Sequence, residues 1–411
     1  LRRVVVTGIG AINSLGLDLE SSFEAIINAK CGIERISSFD TEKHSVKIAG
    51  EVKGFDAKDV MEAKEVKKAD RFIHLGIKSS QEAVRDSGIL DSNSYESERI
   101  GISAGSGIGG LINIEKNSVI QETRGPRRIS PFFIPSSLAN MLGGFVSIEH
   151  GLRGPNLASV TACAAGTHAI SEAFKTIYLD GADAMVVVAA EDAICPIGIG
   201  GFAAMKALSN RNDEPQRASR PFDRDRNGFV MGEGAGSLVL EEYESAKARG
   251  AKIYGEIIGF GESGDANHIT SPVVDGPLRA MRAAMKFASK NNPDLKIDYI
   301  NAHGTSTPAN DKNETTAIKE LFGSKEACPP ISSIKGQIGH CLGAAGAIEA
   351  TMTLKAMQKN ILMPTINYEN ADEDCDLDYI PNSARDGKID FAMSNSFGFG
   401  GTNGVLIFKK I

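Results

Sequence analysis

The chain has 411 residues, 42% of them hydrophobic, with 45 lysines and arginines against 52 acids and a formal net charge of −7. At roughly 100–200 residues per domain this suggests two domains or one large duplicated unit, with no mark of disorder and no reason to expect nucleic-acid binding. Six scattered cysteines without a C-x-x-C pair read as free thiols, and no apolar run approaches the ~20 residues of a membrane helix, so a cytoplasmic protein with no metal site and no membrane insertion is expected.

From the N-terminus, Val4–Val6 reads as a buried strand, apolar with little polar alternation. A strand over Leu157–Cys163 runs into Ala-Ala-Gly166 and a helix whose face is Ile170, Ala173, Phe174 and Ile177, with Gly181 as its stop. Met185–Val188 and Ser237–Leu240 are further strands, followed by a charged helix over Glu241–Arg249 and a seam near Gly250. A fresh strand follows at Ile253–Ile258, another at Ile297–Ile300, and a helix opens after Pro308. Ile331–Lys335 then leads through a glycine-rich turn into Ala344-Ala-Gly346, echoing the earlier strand, turn and small-residue helix start. Val405–Phe408 is the terminal strand. Strand and helix alternate throughout, so the class is α/β, and the echo raises duplication without deciding it.

Four segments carry candidate chemistry. Cys163 stands directly before a helix, where unpaired N–H groups and the helix dipole favour the thiolate, so its thiol is expected to ionise more readily than usual. Taken alone, that segment reads more readily as a buried structural cysteine. His303 in Asn301-Ala-His-Gly-Thr305-Ser-Thr307, and His340 five residues beyond Lys335, follow strands at glycine-flanked positions, where α/β sites collect. The run Ser394-Asn-Ser-Phe-Gly-Phe399-Gly-Gly-Thr-Asn403 leads into a strand rather than opening a helix, so it reads as a loop of backbone donors and not a dinucleotide site. Gly105–Gly110 fails the nucleotide pattern more weakly, leaving a nicotinamide-dependent oxidoreductase as a remote alternative.

Together, Thr161-Ala-Cys163, Asn301-Ala-His303-Gly-Thr-Ser-Thr307, Lys335-x-x-x-Gly339-His340 and Asn395–Asn403 resemble the β-ketoacyl-acyl-carrier-protein synthase family over essentially the whole chain. The block from Pro221 through Asp223, Arg226, Gly228 and Glu233 to Gly236 matches the family's middle segment. The resemblance implies a duplicated thiolase-like fold, a five-layer α-β-α-β-α sandwich. Residues 1–250 would form the half carrying the nucleophile, and 251–411 the half carrying the histidines and lysine. It also implies a homodimer, an acyl carrier protein partner and no cofactor. Ile108, Gly198 and Phe202 match the pattern of the elongating synthase II. The chain departs from the family's usual run at Ile334-Lys-Gly-Gln-Ile, though Lys335 and His340 are retained.

The resemblance further implies that Cys163 takes the acyl chain, and that His303 and His340 hydrogen-bond the malonyl thioester oxygen. The N–H groups of Cys163 and Phe399 would form an oxyanion hole. Lys335 would hold the His303 loop through an acid, Glu314 or Glu349. Asp311 and Glu314 would otherwise act as helix N-terminal acids of dipolar role. Thr305 and Thr307 would bind the phosphopantetheine arm. Ile108, Leu111, Phe133, Gly198 and Phe202 would line the acyl tunnel, Phe133 from the dimer partner. Two basic clusters are candidates for the carrier protein: Lys64, Lys67, Lys68 and Arg71 on one helix, and Arg124, Arg127 and Arg128 in one loop. A cysteine–histidine thioester hydrolase and a polyketide ketosynthase are the alternatives.

Overall fold

The computed structural model describes residues 2–91 and 94–411. Ten strands join into one hydrogen-bonded sheet. In chain order they are β1 (Val4–Asn13), β2 (Ile100–Gly105), β3 (Asn156–Ser159), β4 (Ala184–Glu191), β5 (Gly234–Glu242), β6 (Gly255–Gly264), β7 (Tyr299–Asn301), β8 (Ile331–Ser332), β9 (Phe391–Gly398) and β10 (Thr402–Lys409). The first five lie in the order β1-β5-β4-β2-β3 and the second five in the order β6-β10-β9-β7-β8. The path is the same twice. Orientations repeat as well: β1/β5 and β5/β4 are antiparallel with β4/β2 and β2/β3 parallel, and each pairing recurs in the second set. The two sets meet where Val4–Val6 of β1 pairs antiparallel with Gly255–Ile257 of β6. The faint echo in the sequence therefore marks a true duplication of topology.

Five helices complete the layers: α1 (Arg71–Ser87), α2 (Ala165–Tyr178), α3 (Asp275–Ser289), α4 (Pro308–Phe322) and α5 (Ala345–Lys359). α1 packs on β1, β5 and β4, and α3 packs on β6 and β10, forming outer layers. α2 and α5 pack on each other and on strands of both sets, forming the middle layer. Their position explains their composition. Ten consecutive residues of α5, Ala345 to Leu354, are buried, because strands cover it on both sides. The close approach foreseen from the two Ala-Ala-Gly starts is real. A Cβ at Gly166 would lie 2.8 Å from Ala347 N, and one at Gly346 would lie 2.7 Å from Thr167 N. Every residue of β4 and β5 is likewise buried, which accounts for strands that read as unbroken apolar runs.

Three elements differ from expectation. The strand foreseen over Leu157–Cys163 stops at Ser159, with Cys163 already in a 3₁₀ turn. The helix foreseen from Glu241 begins only at Tyr243, because Glu241 belongs to β5. There its fully buried carboxylate accepts from Tyr95 Oη at 2.6 Å and Arg249 Nε at 2.7 Å. The strand foreseen over Ile331–Lys335 stops at Ser332, and Lys335 opens a short helix to Ile338.

Candidate active site

Cys163 sits in the 3₁₀ turn Ala162–Ala164, which runs directly into α2, and the turn opens with Ala162 at φ 50°. The thiol is therefore at a helix N-terminus, as the sequence indicates. Its ionisation goes the other way, however. Burial pushes the Cys163 thiol up to about 11, although the Lys335 charge and the Phe399 backbone N–H pull it back. The expected easy thiolate is thus not a property of the resting site, since desolvation of the charged form outweighs the local donors.

His303 lies two residues beyond β7, in a loop held by buried acids of α4. Glu314 accepts from the N–H groups of His303 at 2.9 Å and Gly304 at 2.8 Å. Asp311 accepts from the N–H groups of Thr305 at 3.0 Å, Ser306 at 3.2 Å and Phe222 at 2.8 Å. Asp311 and Glu314 therefore brace the loop through specific bonds, which corrects the dipolar role. Burial raises both carboxyls, Glu314 to about 7.

Lys335 is only 1% exposed. Its Nζ donates to the His303 carbonyl at 2.5 Å and to Glu349 of α5. Of the two candidate acids, Glu349 is the lysine's partner. Burial pushes Glu349 up to about 7 against the pull of that lysine. His340 accepts at Nδ1 from the Leu342 N–H at 3.3 Å, so the ring proton resides on Nε2. The rings of His303 and His340 stand 5.4 Å apart, edge to face. Burial, then the Lys335 charge, hold both imidazoles well below their ordinary pKa, so both are neutral at pH 7.

The loop after β9 closes the other side. A Cβ at Gly398 would lie 3.2 Å from Cys163 N and 2.9 Å from Thr161 O, so only glycine leaves room beside the nucleophile's amide. The next N–H, that of Phe399, is a hydrogen-bond donor to the thiol.

A cavity of 380 Å³ is lined by Cys163, Phe202, His303, Thr305, Thr307, His340 and Phe399. The two threonine hydroxyls are 2.9 Å apart. Ile108, Leu111, Phe133 and Gly198 do not line it. Gly198 faces the Ala193 carbonyl and the Leu111 side chain, so it is small because of helix packing there. Phe133 opens the short helix Phe133–Ser137, and Ile108 lies in the loop after β2.

The basic clusters are also rearranged. Arg71 opens α1 and grips the buried Glu233 at 2.8 and 3.0 Å, while its side chain stays 34% exposed. Lys64 lies on a separate short helix, Ala63–Val66. Arg124 ends the helix Leu111–Arg124, with Arg127 and Arg128 in the 3₁₀ turn after it. The sequence reading missed Glu191, a fully buried acid beside the cavity. Its only signal was an acid ending the apolar run Ala184–Ala190.

Comparison with known proteins places this geometry. Residues 1–246 match the model of the Beta-ketoacyl synthase N-terminal domain, and residues 254–369 match that of the C-terminal domain. The chain is 49% identical over 412 residues to a 3-oxoacyl-[acyl-carrier-protein] synthase 2 of Coxiella burnetii, covering 100% of this chain and 99% of that protein. It is 50% identical over 416 residues to the protein of the same name from Vibrio cholerae, with the same coverage. A solved β-ketoacyl synthase from Burkholderia phymatum superposes with a TM-score of 0.93 at 35% identity, over the whole of both chains. A type II polyketide ketosynthase, solved with its acyl-carrier protein and a bound hexaketide, gives 0.89 at 32% identity, again over both whole chains. With a cysteine and two neutral histidines lining one cavity of a duplicated fold, a buried lysine holding the His303 loop, and both family models matched in order, the chain belongs to the β-ketoacyl synthase family.

Proposed function

We propose that the protein is a synthase II of fatty-acid elongation, condensing malonyl-acyl-carrier-protein with an acyl chain held on Cys163. The Cys163 thiolate attacks the acyl thioester, the carrier's thiol leaves, and the acyl chain stays on the sulfur. Malonyl thioester then loses carbon dioxide. The enolate carbon attacks the acyl carbonyl, the carbon–sulfur bond breaks, and the Cys163 thiolate is released. His303 and His340 donate hydrogen bonds to the enolate oxygen, an effect typically contributing about 10²–10³ per donor. The N–H groups of Cys163 and Phe399 receive the tetrahedral oxyanion. Lys335, paired with Glu349, holds the His303 loop while Asp311 and Glu314 brace it.

The observation that carries this reading is the protonation of the histidines. The His340 Nδ1 accepts a backbone N–H, so Nε2 is a donor and not a base. A cysteine–histidine hydrolase needs an imidazole that takes the thiol proton and is stabilised as imidazolium. Here burial and the Lys335 charge oppose that state in both rings. The fatty-acid role, as against a polyketide one, is favoured by the 48–50% identity to proteins named synthase 2.

The same reading divides the chain into a nucleophile-bearing half, 1–250, and a half carrying the histidines and lysine, 251–411. Thr305 and Thr307 bind the arm of the carrier. The acyl chain passes Phe202 and extends toward Ile108 and Gly198, with Phe133 supplied by a second copy. That copy pairs at β3, one of the sheet's two edge strands, where Leu157 is 55% and the adjacent Val160 56% exposed. Among the described residues no helix is long and apolar enough to cross a membrane. Purified protein given malonyl- and acyl-carrier-protein should form 3-oxoacyl-carrier-protein. Release of free fatty acid without carbon–carbon bond formation would overturn the assignment.

A further inference from the structure

The two halves repeat closely enough to be compared residue by residue. β4 and β9 each have 8 residues, and each ends on a residue paired with the first of the next strand, Glu191 with Gly234 and Gly398 with Thr402. The turns Ala162–Ala164 and Leu342–Ala344 each open at positive φ, 50° and 45°, and run into α2 and α5. Gly343 of the second half thus corresponds to Cys163 of the first, and Glu191 of the first half to Gly398 of the second.

At the reacting cysteine, Gly398 leaves open the space beside the Cys163 amide. At the second half's turn, a side chain from the first half fills that space. The Glu191 carboxylate accepts from the Gly343 N–H at 3.0 Å. It also accepts from Ser106 Oγ at 3.0 Å, from the N–H groups of Ile108 at 3.1 Å and Gly109 at 3.2 Å, and from the Gly107 N–H. All of these partners donate, as an ionised carboxylate requires. Both tethered segments touch the reaction. A Cβ at Gly107 would lie 3.3 Å from the Ala162 carbonyl, in the turn bearing Cys163. Gly343 follows Leu342, whose N–H sets the His340 tautomer.

We propose that Glu191 is a positioning residue. Its carboxylate closes the second half's counterpart of the oxyanion hole, and so holds the Gly107 loop and the Leu342–Gly343 turn in register with Cys163 and His340. The inference rests on the condensing reading above. It was hidden in the sequence because the five donors come from segments more than 80 residues away on either side.

The test is Glu191→Gln, whose amide must turn N–H donors toward N–H donors. Condensation and malonyl decarboxylation should each fall about ten-fold or more, as misplaced reacting groups do. KM for both carrier substrates should stay within about two-fold. The pH profile of iodoacetamide alkylation at Cys163 should shift to lower pH, because the Glu191 charge raises that thiol. In the wild-type protein, the amides of Gly107, Gly109 and Gly343 should exchange hydrogen as slowly as those of β4. A variant within about three-fold of wild type with an unshifted profile overturns the proposal. So does fast exchange of those amides, which needs no variant to fold. A wild type that forms no 3-oxoacyl product would instead overturn the condensing reading, while the exchange and alkylation measurements would still judge the tether.

Discussion

At Cys163, burial and charge act in opposite directions, and burial is the larger. The alkylation rate of the free enzyme should therefore keep climbing from pH 7 toward about 11. An ordinary thiol would level off near ~8.5. The sign follows from the thiolate fraction, which at any pH below the raised pKa is smaller than in a free cysteine. Lys335→Met, by removing a favourable positive charge, should delay the rise further; a plateau below pH 9 would show that local donors outweigh burial. Cys163→Ala should abolish condensation, whereas Cys163→Gln, whose amide mimics the acyl carbonyl, should keep decarboxylating malonyl-carrier-protein. The histidines separate the two half-reactions. His303→Ala and His340→Ala should each lower carbon dioxide release by about 10²–10³. Single-turnover acylation of Cys163 should survive in both. Acylation lost and decarboxylation kept in His303→Ala would make that ring the thiol's base instead.

Among the elements, the decisive contact is the loop after β9 against the turn before α2. Gly398→Ala would force a methyl toward Cys163 N and Thr161 O, displacing the N–H pair from the oxyanion. Both half-reactions should fall by about 10², with the thermal midpoint nearly unchanged because the loop lies at the cavity rim. The crossing of α2 and α5 behaves differently. Gly166→Val overfills a backbone-to-backbone contact and should cost stability, about 1–3 kcal/mol as overpacking usually does. Urea unfolding measures it; loss of activity at full stability would mean the crossing serves the site alone.

The proposed contacts with the carrier protein and with a second copy can be tested at the surface of the whole molecule. Lys67, Arg124, Arg127 and Arg128 are exposed, whereas Arg71 is committed to Glu233. Charge reversal at Lys67, Arg127 and Arg128 should raise KM for carrier-bound substrates about ten-fold, and pantetheine thioesters should be little affected. The effect should shrink with salt, since exposed charges are screened beyond ~10 Å at about 0.1 M. Equal losses with both substrate types would remove the docking role. At the β3 edge, Leu157→Lys with Val160→Glu places charges on the exposed apolar residues and should give monomers by sedimentation. A wild type that already sediments as a monomer would refute pairing there.

Much of the site was legible in the linear sequence, because its chemistry depends on residue type at strand and helix ends. A cysteine before a small-residue helix, histidines beside glycines and a donor-rich loop can each be read from local spacing. The α/β class was equally legible, since strands buried on both faces must be unbroken apolar runs. Other features depended on which distant segments are packed together. The partner of Lys335 is Glu349 and not Glu314, because α5 lies in the middle layer behind the lysine while Glu314 turns to the His303 loop. The direction of the Cys163 shift follows from burial, which no local window records. Glu191 looks like the end of a strand until the second half is folded against the first. Residue order alone determined the reactive groups and the repeated pattern that carries them; tertiary packing decided their protonation and their partners, because burial and charge contact arise only between segments far apart in the chain.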